Sequence, residues 1–308
     1  MNGSPVVAAV RRGKSSGRSG ATWLLVLPAV SVLALVAVTP ILWTAWESLH
    51  LHDLRMPWLG RPFIGIGNYV EAVHDGRFRE AVMHTALFAA VAVTLEMCAG
   101  LALALLLDRV VRGARIVRTA VLLPWAVPTV VAALVWRFMF ESPGGIVSRT
   151  VGAAGFTAPT WLSDPVAAWL PIVLADVWKT TPFVALLILA ALQNIDPALY
   201  EAASIDGATP WQQFRRVTLP LLRPALAVAC LFRLLDAFRV FDIIYVLTAG
   251  GPGTATEPVA LYTFTTLMRT LRFGYGAALS LIVFAVSFMI ALASVRLLGA
   301  DTPGEFSS

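Results

Sequence analysis

Residues 201–220 read EAASIDGATPWQQFRRVTLP. This polar stretch sits between two long apolar segments, and its reading decides how the rest of the chain is understood. The run Pro197–Asp206 is rich in helix formers and opens with Asp196-Pro197, so a short helix is expected there. Gly207 suits its C-terminal stop, because a left-handed backbone costs glycine little. From the residues alone, two readings stay open: an ordinary amphipathic loop at the membrane surface, or an element built to dock a partner.

The flanks of this stretch are those of a membrane protein. The chain has 308 residues, of which 58% are hydrophobic and only 13% charged; a soluble domain carries roughly a quarter charged residues. The net charge of +5 does not point to nucleic acid, because the basic residues sit in loops beside apolar segments, where they set topology. Cys98 and Cys230 fall inside apolar segments and read as small apolar packing residues. No disulfide framework or metal spacing is present. His50, His52, His74 and His84 lie in or beside the first long loop, and no metal site is expected.

A bilayer core of about 30 Å needs about 20 apolar residues in a helix. Six stretches qualify: Ala21–Trp46, Ala81–Leu107, Ile116–Phe140, Ala168–Leu192, Pro224–Leu247 and Gly276–Leu298. Pro28, Pro124, Pro128, Pro171 and Pro182 lie in or near them; membrane helices tolerate proline because neighbours satisfy the freed backbone groups. The expected architecture is therefore all-α and polytopic, with a basic tail at 1–20, a six-span domain at 21–299 that includes the loop 193–220, and a short tail at 300–308.

Arginines orient the spans. Arg11, Arg12, Lys14 and Arg18 in the tail, Arg109, Arg112 and Arg115 in the second loop, and Arg215 and Arg216 in the fourth belong on one side, the cytoplasm. Both termini and residues 201–220 are then expected to face the cytoplasm. The first apolar run is too long for a signal peptide and lacks a small-residue cleavage site. Ala8–Ser15, AAVRRGKS, fits a loose phosphate-loop pattern, but a working phosphate loop needs a strand before it and a helix after it. Nucleotide binding is not expected of this chain.

The spacing in 201–220 supplies a family. Glu201-Ala202-Ala203, three residues, Gly207, nine residues, Val217, one residue, then Leu219-Pro220 resembles the cytoplasmic EAA loop of permease subunits of binding-protein-dependent ABC importers, with Val217 where the family usually has Ile. The resemblance extends further. Phe63-Ile64-Gly65-Ile66-Gly67-Asn68-Tyr69 is similar to the F-x-G-x-x-N-Y stretch of sugar permeases, and Leu123-Pro124-Trp125 through Pro128 to their next span. Phe241-Asp242, Tyr245, Leu247-Thr248 and Gly250-Gly251-Pro252 resemble a further segment of the carbohydrate-uptake branch, the maltose-type and glycerol-phosphate-type permeases. The stretch Val177–Phe183 and the run Leu231–Thr248 are nearest in flavour to trehalose permeases of high-GC Gram-positive bacteria. The resemblance implies a type I ABC importer permease fold and alternating access. It also implies a second, homologous permease subunit, an ABC ATPase dimer that holds ATP and Mg, and an external sugar-binding protein. The cargo it implies is a sugar, most readily a disaccharide such as trehalose. Neither catalytic residues nor a cofactor of this chain's own are implied. In that family Glu201, Ala202, Ala203, Asp206, Gly207, Leu219 and Pro220 would form the coupling element, and external loops such as Gly250, Gly251 and Pro252 would meet the binding protein.

Charges inside the spans are the second class of candidate, since in lipid they are costly and face a cavity or a partner. Arg233, Asp236, Arg239 and Asp242 step by three along the fifth span, and Asp176 and Lys179 lie three apart in the fourth. A self-neutralising ladder and a cavity lining both fit such spacing. Sugar hydroxyls pair with carboxylates, guanidinium groups and aromatic faces, so Asp176, Asp236, Arg239, Phe241 and Tyr245 are the cavity candidates, with Glu96 and Arg137 as interhelical contacts. Trp58, Phe63 and Tyr69 suit an interfacial aromatic belt. A stand-alone secondary transporter or channel, with the charge ladder as a proton relay, is the competing class.

Overall fold

The computed structural model describes residues 18–300 apart from 111, 112 and 143. Most of the two expected tails, Arg11, Arg12, Lys14, Arg112 and the stretch Ala8–Ser15 thus lie outside the described residues. The described chain is almost wholly helical. In order it forms α1 (Arg18–Ser48), α2 (Gly67–His74), α3 (Gly76–Asp108), α4 (Ala114–Val121), α5 (Leu123–Ala126), α6 (Thr129–Phe140) and α7 (Ile146–Ala153). There follow α8 (Trp169–Leu192), α9 (Pro197–Ile205), α10 (Pro210–Gln213), α11 (Leu219–Phe238), α12 (Asp242–Leu247), α13 (Val259–Met268) and α14 (Phe273–Ala300).

Among the described residues, five stretches are long and apolar enough to cross a membrane: Val26–Ser48, Gly76–Asp108, Trp169–Leu192, Pro210–Phe238 and Phe273–Ser294. They match five of the six expected spans. The remaining one, Ile116–Phe140, is not a single helix but the succession α4–α5–α6. Pro128 explains the break: it lacks an amide N–H and excludes the helical conformation from the residue before it, and Val127 is extended (φ −68°, ψ 132°). The fifth span also differs from expectation. Its helix starts earlier, at Leu219, and stops at Phe238; Arg239–Phe241 leave helical geometry before α12 begins.

α3 lies along α8 and α11, while α1 packs chiefly on α14. The α3–α8 approach is close at Gly100, where an added Cβ would stand 2.6 Å from Val184 Cγ1. Val184 belongs to an apolar cluster with Ala104, Leu107, Ile188 and Leu222, and Phe88, Ala92, Ile172, Ala175, Ala237 and Ile244 form a second one. Cys98 is exposed and Cys230 half-buried, both as free thiols.

The end of the bundle opposite residues 193–220 is held by a polar clasp. Asp75 caps α3 by accepting from the amides of Arg77 (2.9 Å) and Phe78 (3.3 Å), and its other oxygen takes the hydroxyls of Tyr262 and, at 2.7 Å, Tyr275. Burial alone would raise the Asp75 pKa; the two hydroxyls and two amides outweigh it and hold the carboxyl below its usual range. Asn68 is buried and donates to the carbonyls of Ser48 (2.8 Å) and His50 (3.0 Å), so this residue of the F-x-G-x-x-N-Y stretch pins the loop after α1. Of the three belt candidates, Trp58 and Phe63 are exposed, but Tyr69 turns inward and its hydroxyl lies 2.7 Å from Ser48 Oγ.

Gly250–Pro252 belong to a turn folded onto the bundle rather than to a free loop. Gly250 has φ 87° and is buried, and a Cβ there would press on Leu261 Cδ2 at 3.0 Å. Thr256 Oγ1 donates to the Gly251 carbonyl (2.8 Å), and the buried Glu257 pairs with Arg77 at 2.7 and 2.9 Å. Gly253, at the tip, is the exposed glycine of the turn.

Candidate functional site

Two regions carry the chemistry: a charged centre midway through the bundle and the loop between α8 and α11.

The centre is organised by Arg233 of α11, which is 3% exposed. Its guanidinium donates to both oxygens of Glu96 on α3 (2.5 and 2.9 Å), to Asp176 on α8 (3.1 Å) and to Asp236 one turn along its own helix. One planar group therefore ties three helices, which suits the fixed fork of arginine donors. Glu96 is fully buried. Thr180 Oγ1 lies 2.7 Å from both Glu96 Oε1 and the Asp176 carbonyl oxygen, and its single proton serves one of them at a time. The ladder along the fifth span does not form: of its steps only Arg233–Asp236 makes an ion pair, and the end of α11 at Phe238 removes Asp242 from that helix.

Above this hub is a cavity of about 140 Å³ walled by Asp176, Lys179, Asp236, Arg239, Phe241 and Asp242. Four of the five cavity candidates thus meet at one place. Tyr245 stands one layer behind, its ring stacked on Phe241 with centroids 5.3 Å apart. The Asp236 side chain is 71% exposed although it touches Arg233, and Arg239 makes no ion pair among the described residues. Lys179 is the residue whose role the spacing in α8 did not show. Its Nζ donates to the carbonyls of Trp125 (3.2 Å) and Val127 (2.6 Å), the acceptors left free where α5 ends before Pro128. Arg137 acts as expected between helices, donating to the Val246 carbonyl at 3.0 Å.

At the other region, Asp196 caps α9 through the Ala198 amide (2.9 Å), and Pro197 occupies the first helical position. The helix closes on Gly207, whose φ is 77°. The Gly207 amide bonds the Ser204 carbonyl (3.0 Å) and the Ala208 amide the Ala203 carbonyl (2.9 Å), the paired bonds of a glycine-terminated helix. Thr209 and Gln212 then cap α10 reciprocally. A five-residue π-helical segment, Phe214–Thr218, joins α10 to α11, where Leu219 and Pro220 are half-buried in the first turn. Tyr200 anchors the loop through Thr218 Oγ1 at 2.9 Å. Glu201, Ala202, Asp206 and Gly207 are exposed and Ala203 half-buried. Beside them Ile205 is 87% and Trp211 67% exposed, an apolar pair out of place on a free surface.

Known proteins resemble this chain. Residues 96–300 match the family model described as binding-protein-dependent transport system inner membrane component. The chain belongs to that family. It is 42% identical over 264 residues to the trehalose/maltose transport system permease protein MalF of Thermococcus litoralis, covering 86% of this chain and 88% of that protein. It is 37% identical over 298 residues to the trehalose transport system permease protein SugA of Mycobacterium tuberculosis, covering 96% and 94%. Among solved structures, a bacterial ABC transporter involved in the import of the acidic polysaccharide alginate superposes with a TM-score of 0.80 over 92% of this chain and 97% of that one, at 23% identity. The fold is that of a type I ABC importer permease, and the protein is a membrane component of an import system. The family match starts at Glu96, the carboxylate that anchors the hub.

Proposed function

We propose that this chain is one of two membrane subunits of an ATP-driven sugar importer, and that its cargo is a neutral disaccharide such as trehalose. The cavity above Arg233 carries the proposal. It combines three carboxylates, a guanidinium with no acidic partner among the described residues and the ring of Phe241, backed by Tyr245, the mixture that meets sugar hydroxyls and ring faces. The two relatives named for trehalose or maltose share that cargo class. At about 140 Å³ the cavity is smaller than the ~300–1,000 Å³ of ordinary small-molecule sites. It is half a site, completed by a homologous second permease subunit. The exposed Asp236 and Arg239 support this, because charges at this depth do not face lipid.

Transport then proceeds by alternating access. An external binding protein delivers the sugar at the end that carries Gly250–Pro252, with Gly253 outermost. A separate ABC ATPase dimer, which holds ATP and Mg, closes against residues Glu201–Gln213. Ile205 and Trp211 lose their exposure in that contact, and Gly207 sets the angle between α9 and α10. Both termini lie on the ATPase side, in the cytoplasm. This chain holds no cofactor and performs no catalysis.

The test is uptake of labelled trehalose, maltose and sucrose, with glycerol 3-phosphate as a control, in a strain deleted for this chain. Loss of trehalose uptake, restored by the chain in trans, is the expected result. Unchanged uptake of every sugar would remove the disaccharide assignment.

A further inference from the structure

A second polar site lies at the outer end of α1, away from the cavity above Arg233. Glu47 is 6% exposed, and one of its oxygens meets His52 Nδ1. The other oxygen, Oε2, and His52 Nε2 have no hydrogen-bond partner among the described residues. Buried polar atoms left in that state are costly and uncommon. The His52 ring is also stacked on Phe273, centroids 5.3 Å apart, which fixes the direction in which Nε2 points. Beside the pair is a cavity of about 270 Å³ walled by Trp43, Glu47, His52, Arg61, Phe273 and Ser280.

The charges in this wall are ordered. Ser280 Oγ donates to the Gly276 carbonyl (2.9 Å), so it offers the cavity only lone pairs. Glu47 adds a second carboxylate oxygen, Oε2, with no partner among the described residues. The interior is thus rich in acceptors, and the cation Arg61 is exposed at its rim. Trp43 adds an aromatic face, which favours a cation. A ligand with an ammonium group at one end and an anionic group a few ångströms away fits both ends.

The surroundings identify the source. On α1, Val36, Leu42 and Trp43 are 67%, 63% and 61% exposed, a lipid-facing flank that ends at the cavity, where headgroups lie. We propose that the cavity binds the phosphoethanolamine headgroup of a membrane lipid, with the ammonium on Glu47, the phosphate on Arg61 and the acyl chains along α1. A choline headgroup has no N–H to give the carboxylate and keeps only its charge and the aromatic contact, so it binds more weakly.

Native mass spectrometry of the assembled transporter, released from nanodiscs of phosphatidylethanolamine, phosphatidylcholine and phosphatidylglycerol, tests this. The wild type is expected to retain phosphatidylethanolamine over phosphatidylcholine by about tenfold, the ratio of one charge-assisted hydrogen bond. Glu47→Gln should erase the preference, whereas Arg61→Ala, which removes the contact to the phosphate that both lipids carry, should lower the retention of both about tenfold; Arg61 is exposed, so its variant remains decisive if the first fails to assemble. Equal retention of the two lipids by the wild type, or retention of phosphatidylethanolamine that is undiminished in Arg61→Ala, would overturn the proposal. Displacement of the lipid by millimolar soluble phosphoethanolamine would overturn the lipid assignment in favour of a free zwitterion.

Discussion

Replacing Arg233 with leucine should be among the most damaging single changes in this chain, and its cost can be worked from the hub. The substitution removes four donations: two to Glu96, one to Asp176 and one to Asp236. Asp236 is 71% exposed and can be hydrated, so its loss is small. Glu96 is fully buried and keeps only the Thr180 hydroxyl, which it shares with a carbonyl. Breaking a buried ion pair from one side costs about 3–5 kcal/mol, a large share of the ~5–15 kcal/mol that holds an ordinary domain together. Arg233→Lys keeps the charge but not the fork and should lose about 1.5–3 kcal/mol, the worth of a hydrogen bond to a charged group. The double variant Glu96→Leu/Arg233→Leu should recover much of the loss, since it leaves no unpaired charge on α3. The assay is reversible unfolding of the purified complex in mixed detergent micelles. If Arg233→Leu unfolds at the wild-type midpoint, or the double variant is worse than the sum of the two single ones, the hub does not hold α3, α8 and α11 together.

Asp236→Asn gives the opposite pattern: the side chain is exposed, so the unfolding midpoint should barely move, while uptake falls roughly tenfold or more, the equivalent of one hydrogen bond to a charged group; unchanged uptake would remove Asp236 from the sugar path. Gly207→Val meets no atom within 4 Å of its Cβ, so its cost is the left-handed backbone alone, about 1–2 kcal/mol. The variant should insert in the membrane at wild-type levels, yet lose uptake and ATPase stimulation; full uptake would sink the coupling role of the loop. Asp75→Asn should lower stability at pH 7 by about 1.5–3 kcal/mol, because its donors lose an ionised acceptor. A carboxyl whose folded pKa is depressed stabilises above its unfolded pKa, near 3.9, and loses that contribution as the pH falls through the folded value. The gap between wild type and Asp75→Asn in thermal unfolding should therefore be full at pH 7 and shrink below about pH 4; a gap that is constant with pH would contradict this.

Much of the bundle was legible because its signals are local. Apolar runs of span length located five helices, and Asp196-Pro197 and Gly207 bounded α9 to within a residue, since caps and left-handed stops act over a few positions. The charged candidates were legible as a class because ionisable groups inside spans are scarce. Their pairing was not. Three-residue spacing suggested a ladder along one helix, whereas Arg233 is claimed by Glu96 and Asp176 from helices 137 and 57 residues away. Distance along the chain carries no trace of such a contact.

The two expected spans that turned out broken show why the cavity lies where it does. A helix satisfies its own backbone, so a continuous bundle offers a substrate only side chains. At Val127–Pro128 and at Arg239–Phe241 the helical ladder stops, and a membrane-depth backbone without a ladder is stable only where protein or water covers it. Lys179 covers the first break by donating to the Trp125 and Val127 carbonyls. The second break borders the same cavity through Arg239 and Phe241. Pro128 announces the first break in the sequence. No proline or glycine marks the second, where Arg239, Val240 and Phe241 would each fit a helix. Its cause is tertiary: α12 packs against α6 and α8, and α11 must end for the chain to turn towards them. The cavity is thus built where two helices fail together, with Arg233 one turn below to keep the carboxylates of Asp176 and Asp236 at its wall.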